Sequence, residues 1–345
     1  MKRWYLAIGL SLLLSGADVA AFGQTPGYHL LKKISFPAAE GGREYFDYIT
    51  FDPAAGRIYL AHGIEVLVVE AGTGALAGKI TGLKLSHGVA LVPDLGRGFI
   101  TDGAAAEIVV FDVKTLKTIG RIKGQPDADG ILYDPASKHI FVFNGDPSSS
   151  TVIDPVKQAV ITTLPLGGAP EQGVADGKGM IYDNLEDKNE VIALDSRSLK
   201  ITARWPVAPA GGPTSMAMDR EHRRLFIGGR NPAMFVVMNA DTGKIVGRSF
   251  PIGKRVDSNI FDPETELAAC STGDGTIHIF HEDSPDKFSE VQTVKTEPGA
   301  KTMAFDPKTH DLFVDTSDFK AASGDTKQQR PMAVPGTFRL LIYGR

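Results

Sequence analysis

Short apolar runs alternate with polar turns along the chain from residue 28 onward, and no long stretch keeps the 3.6-residue spacing of an amphipathic helix. One run reads Asp47-Tyr-Ile-Thr-Phe-Asp-Pro53 and leads, after a turn, into Ile58-Tyr59-Leu60. The same order recurs in segments opening at His87, Asp129, Glu171, Thr214, Asp257 and Lys301, and closing at Pro93, Pro135, Gly177, Arg220, Pro263 and Pro307. Successive copies lie 40 to 44 residues apart. In each, an apolar run is stopped by Asp-Pro or an equivalent turn; Pro presets φ and cannot donate to a ladder, so it ends a strand. A β-branched and aromatic run follows, then a third run such as Val66–Val69, Ile108–Phe111 or Phe235–Met238, and a weaker fourth such as Thr118–Ile122 or Ile201–Trp205. Four strands per unit, repeated at this period, predict an all-β propeller.

The two ends add a second line of argument. The seventh unit runs out at its third strand, Phe338–Tyr343, and is one strand short. The segment Tyr28–Phe36 supplies a surplus strand ahead of the first unit. Pairing the two closes a ring and removes the open edges that invite aggregation. The expectation is a single seven-bladed β-propeller domain over residues 28–345, with four-stranded antiparallel blades. A closed ring has no free edge that demands a partner, so a monomer is expected.

The repeats resemble the YVTN-repeat, YncE-like family of bacterial seven-bladed propellers. The residues that carry the resemblance include Phe51-Asp52-Pro53-Ala54-Ala55-Gly56-Arg57-Ile58-Tyr59, Tyr133-Asp134-Pro135-Ala136-Ser137-Lys138 and Gly273-Asp274-Gly275-Thr276. The namesake tetrapeptide is degenerate here, and no Trp-Asp dipeptide ends the third strands. The resemblance covers essentially the whole chain after its first residues. It implies export, usually to the periplasm, and binding rather than established catalysis; fold transfers across such a likeness better than function does.

Antiparallel strands send the chain back and forth between two faces, and the first strand of each unit lines the central channel. The leading residues of the seven copies, Asp47, His87, Asp129, Glu171, Thr214, Asp257 and Lys301, are therefore expected to ring one mouth. Loops on the same face bring His62, Asn144, Arg230 and Asn231. Asp47, His87, Asp129, Glu171 and Asp257 could hold one divalent cation: carboxylates suit Ca²⁺ or Mg²⁺, and His beside them admits Zn²⁺ or Mn²⁺. The competing expectation is a solvated polar rim, or an ion-pair network completed by Lys301. A long blade-seven loop, 319–337, reads either as a lid over this mouth or as a loose insertion. His139, His222 and His310 fall in equivalent turns on the opposite face and read as solvated turn residues. Cys270 reads as a buried thiol and Trp205 as a side chain packed between blades.

Composition and charge narrow the function. Of 345 residues, 42% are hydrophobic and 23% charged, an ordinary globular balance. The single cysteine excludes an intramolecular disulfide and a Cys-based zinc site. Lys2 and Arg3, the apolar run Trp4–Leu14 and the small residues before Gly23 read as a signal peptide over 1–23; a short uncleaved anchor is the alternative. No later stretch is long and apolar enough to span a membrane, so no insertion is expected once the signal is removed. The net charge of −4 becomes −5 when Lys2, Arg3 and Asp18 are removed, which argues against nucleic acid. No Gly-x-Ser-x-Gly elbow and no His-Glu-x-x-His occurs. The expected function is a periplasmic or secreted module that binds a protein or a small polar ligand at the mouth. Metal-assisted, lactonase-like hydrolysis at the same mouth is the alternative. Single-stranded DNA binding through Lys254, Arg255, Lys301, Arg230 and Lys320 is a further one, opposed by the acidic mouth.

Overall fold

The structure, a computed structural model, describes Met1 and residues 27–39, 44–320 and 332–345. The expected signal segment beyond Met1 and the middle of the 319–337 loop lie outside the described residues. Among the described residues there are seven four-stranded sheets and one two-stranded ladder, with three short 3-10 turns and no helix able to cross a membrane. Blade one shows the plan: Phe46–Asp52, Arg57–His62, Glu65–Glu70 and Leu76–Ile80 pair antiparallel in that order. The inner strand of each blade packs on that of the next, and blade seven's packs back on blade one's, so the sheets form a ring. The expected propeller is the observed fold.

The repeated Asp at the end of the inner strands has a local job. Asp52 Oδ1 accepts the backbone N–H groups of Ala54 and Ala55 at 3.0 and 3.2 Å, and Asp134 serves Ala136 and Ser137 in the same way. This side-chain-to-backbone turn lets the chain reverse without orphaned donors. The turn then needs a left-handed residue four positions on: Gly56 takes it at φ 65°, and Lys138 must take it at φ 58°.

Stability comes from aromatic and branched side chains sandwiched between neighbouring blades. Phe235 stacks on Phe280 at 4.1 Å and Phe226 on Phe261 at 4.8 Å, joining blades five and six. Each is buried, and full burial of such a ring stabilises by about 1.5–3 kcal/mol. Trp205 of blade four stacks on Tyr182 and fills the space beside Gly243 of blade five, where any Cβ would strike the indole. Cys270 is wholly buried, and burial pushes its thiol well above the ordinary range, as an inert core residue requires.

The ring closes through the N-terminal strand. His29–Ser35 pairs antiparallel with Arg339–Gly344, from His29 opposite Gly344 to Ser35 opposite Arg339, and completes blade seven outside Leu312–Thr316 and Met303–Phe305. The described ends of the long blade-seven loop, Phe319–Lys320 and Met332–Ala333, pair with each other as a short stem.

Candidate functional site

The inner strands of blades one to six share a defect in the same place. Each breaks register just after its first paired residue: between Phe46 and Ile49, Ser86 and Val89, Ala128 and Ile131, Pro170 and Gly173, Pro213 and Ser215, and Val256 and Ser258. A bulge re-aims a side chain away from its sheet. The first residue inside each bulge is Asp47, His87, Asp129, Glu171, Thr214 or Asp257, and Lys301 stands just ahead of blade seven's inner strand. Glycine follows where neighbouring inner strands approach closely: a Cβ on Gly88 would lie 2.8 Å from Ile131, and one on Gly130 would lie 3.2 Å from the Glu171 carbonyl.

One half of the ring is a proton-sharing cluster. His87 Nδ1 lies 2.7 Å from Asp47 Oδ2 and 3.2 Å from Asp129 Oδ1. The Tyr45 hydroxyl donates to Asp47 Oδ2 at 2.7 Å and lies 3.1 Å from His87 Nδ1. Burial works against the His87 imidazolium, but contacts with Asp129 and Asp47 outweigh it and push His87 up to about 10. Burial would raise the Asp47 carboxyl, yet its bonds with His87 and the nearby Lys301 hold it below its ordinary value. Asp129 moves the other way, raised by burial and by the Asp47 charge.

The other half is an ion-pair network. Asp257 sits between Lys301 Nζ on one carboxylate oxygen and Arg230 Nη2 on the other. Arg230 also donates to Glu186 Oε1 at 3.0 Å and to the Val256 carbonyl at 3.2 Å. Burial opposes the Lys301 ammonium, but Asp257 and Asp47 overcome that and raise it. Glu171 faces this network from blade four. Loss of solvent, with the Glu186 and Asp129 carboxylates nearby, pushes it up to about 10 against the pull of Arg230. Glu171 thus holds its proton more readily than an ordinary carboxylate, and its side-chain bond with Glu186 takes that proton.

Several expected site residues are placed otherwise. Thr214 is buried, and its hydroxyl donates to the Val256 carbonyl at 3.0 Å; it ties blade five to blade six instead of lining the mouth. His62 is wholly buried, 2.6 Å from Glu44 Oε1 and stacked on Phe338 at 4.4 Å, with Glu44 Oε2 accepting from Gly336. It anchors the entry to blade one against blade seven and is not open to a ligand. Asn144 is also buried, its amide donating to Ser149 and Thr151 within blade three. Asn231 is exposed, beside the cis Asn231–Pro232 bond. For a cation, only Asp47, His87 and Asp129 of the expected set bring ligand atoms within 4.8 Å of one another; Glu171 and Asp257 are turned to Arg230 and Lys301.

Tyr45, Tyr48 and Glu186 complete the mouth and were not foreseen. The sole sequence signal for the tyrosines was their position flanking Asp47. Tyr48 lines a cavity of about 130 Å³ in the channel with Thr50, Gly88, Gly130 and Gln172. That volume is below the roughly 300–1,000 Å³ of sites that enclose a drug-sized molecule. This cavity, lined by blades one to four, therefore takes a few waters or a single small group.

No family model matches the chain, and no curated protein matches it in sequence. Solved structures do match in fold. A chain in the crystal structure of the mitotic checkpoint complex is 15% identical with a TM-score of 0.75, covering 100% of this chain and 99% of that one. The structure of U3-55K is 9% identical with a TM-score of 0.72, covering 91% and 98%. The WD40 repeats of RRP9 are 10% identical with a TM-score of 0.71, covering 90% and 99%. These likenesses show the fold alone. The last of them is described as WD40 repeats, whereas this chain lacks the Trp-Asp dipeptide at the ends of its third strands.

Proposed function

We propose that the chain is an exported, YVTN-type binding module whose polar mouth takes a polar group presented by a small ligand or a protein partner. The observation that carries the reading is unfilled hydrogen-bonding capacity at the mouth. Asp129 Oδ1 has only the 3.2 Å approach of His87 Nδ1, and about a quarter of the Asp129 side chain, like about a third of that of Arg230, stays open to solvent. These groups come from different blades, so a ligand that bridges them contacts several blades at once. Preorganisation of this kind lowers the ordering cost of binding. The basic start and apolar run of residues 1–23 support export.

The test is a thermal-shift screen of the full mature chain against sugars, amino acids and hydroxy acids, followed by calorimetry on hits. Binding should weaken at least about tenfold in Asp129→Asn and in Arg230→Gln, since each removes a charge-assisted hydrogen bond worth about 1.5–3 kcal/mol. A hit whose affinity survives both substitutions places binding elsewhere.

A second reading rests on the 4.8 Å cluster of Asp47, His87 and Asp129. The donor set suits a divalent cation, and hydrolysis assisted by such an ion is the activity it would support. In the present geometry the His87 Nδ1 proton occupies the place between the two carboxylates, so cation and proton compete for one position. Retention of zinc near neutral pH by a His222→Gln variant, with loss in His87→Gln, would favour this reading.

A further inference from the structure

On the face opposite the mouth, the turn after blade five's inner strand, Pro213–Asp219, meets the outer hairpin of blade six. That hairpin is unusually long. Its strands Thr276–Ser284 and Lys287–Lys295 have nine residues each, where the corresponding pair of blade five, Ala233–Asn239 and Ile245–Pro251, has seven. Arg224 of blade five holds its tip, donating to the Pro285 carbonyl at 2.6 Å and to Asp286 at 2.7 Å. The extension carries Glu282 over the blade-five turn. There His222 Nδ1 lies 2.8 Å from Asp219 Oδ2 and 3.0 Å from Glu282 Oε1. The expectation that His222 is a solvated turn residue is corrected accordingly: it is one corner of an inter-blade cluster.

The two acids are buried and differently provided for. Asp219 is 3% exposed and accepts the backbone N–H groups of Glu221 and His222 at 2.9 and 3.0 Å. Glu282 is also 3% exposed, yet Oε2 has no hydrogen-bond donor and Oε1 has only His222 Nδ1 nearby, without the geometry of a hydrogen bond. A buried carboxylate left this way is costly and rare in a folded protein. A single Nδ1–H serves one acceptor well, and here it is nearer Asp219. The other charged groups facing the cluster are Glu221 and Arg224, and the Arg224 guanidinium is engaged by Pro285, Asp286 and the His222 carbonyl.

We propose that Asp219, His222 and Glu282 form a binding site for a divalent transition-metal ion of the zinc class, linking blades five and six. Neutral imidazole and two carboxylates are a donor set such an ion takes, with one position left to water. Ligand atoms about 2.0–2.1 Å from a tetrahedral zinc stand roughly 3.4 Å apart, so the cluster must open by about half an ångström. His222 is the member free to move, its side chain being 37% exposed while both acids are fixed.

The experiment titrates zinc chloride into the metal-stripped full chain by calorimetry near neutral pH, with calcium chloride as contrast. One zinc per chain is expected, with calcium, which wants more oxygen ligands, much weaker. His222→Gln and Glu282→Gln should each weaken zinc by more than the roughly 10–100-fold that loss of a supporting outer-shell partner costs. His87→Gln, at the mouth, should leave that event in place. Cobalt(II) added to the unmutated protein should give visible absorption bands of a low-coordinate site, a readout that needs no variant to fold. Absence of zinc binding, absence of cobalt bands, or binding indifferent to both His222→Gln and Glu282→Gln overturns the proposal; so does zinc lost only in His87→Gln.

Discussion

At the mouth, His87 is buried between Asp47 and Asp129; on the far face, His222 is more than a third exposed between Asp219 and Glu282. Both clusters consist of two carboxylates approaching a single Nδ1. They differ in which member is shut in. His87 is enclosed and reinforced by Tyr45, while Asp129 keeps about a quarter of its side chain in solvent. On the far face the acids are enclosed and the imidazole is free to turn. Enclosing the base between ionised acids fixes a proton on it. Enclosing the acids leaves negative charge that a mobile imidazole only partly answers, and that favours a cation. Burial pattern, more than residue type, separates the two.

The largest effect should follow from emptying the mouth cluster. His87→Ala leaves Asp47 and Asp129 facing each other without the imidazolium, and breaking a buried pair in this way costs about 3–5 kcal/mol. Urea denaturation near neutral pH measures it, and a loss below about 1 kcal/mol would erase the distinction drawn here. The same contribution should depend on pH with a defined sign. His87 is raised to about 10 in the folded chain, so its stabilisation is complete below the unfolded value near 6.5 and disappears as pH rises through about 10. Wild-type protein should therefore lose stability over that range faster than His87→Gln. An imidazole NMR titration that shows His87 neutral near pH 8 would refute the assignment.

A smaller effect of opposite sign is expected at the far cluster. Glu282 is raised to about 7, so its ionisation carries no penalty at pH values below about 4.5 and a full one above about 7. Metal-free Glu282→Gln should gain about 1–2 kcal/mol over wild type above that range and nothing at the acid end. Equal stability of the two proteins at all pH values would mean that Glu282 already has a partner. The smallest change belongs to metal-free His222→Gln. The imidazole is more than a third exposed and its pairing is screened by solvent, so the variant's stability should stay within about 0.5 kcal/mol of wild type. A loss as large as that of His87→Ala would make the clusters energetically alike.

The blades were legible because the Asp that stops most inner strands also caps the turn behind it, as at Asp52 and Asp134, and this leaves the same trace in those copies. The ring residues were legible for a related reason: in blades one to six a bulge at a constant register turns one leading residue out of the sheet. Register does not say what a delivered side chain bonds to. Thr214 has the right position and turns to a neighbour's carbonyl, and His62 has the right loop and is enclosed by Glu44 and Phe338. Glu282 was illegible because its meeting with His222 depends on how far a hairpin some 60 residues away overhangs the next blade. Periodicity marks where strands start and stop within a unit, while overhang is a relation between units.

The seam in blade seven has a consequence for timing. His29–Ser35 is the first described strand in chain order, and its partner Arg339–Gly344 is the last described one. Until both are free of the ribosome, that sheet has a bare hydrogen-bonding flank at its outer edge, and bare flanks recruit strangers. Final assembly is therefore one late fastening event between distant parts of the chain, slow by the logic of long-range contacts. The same fastening is where the finished ring is easiest to unlatch, because losing one terminal strand breaks the circle without first disturbing any other blade.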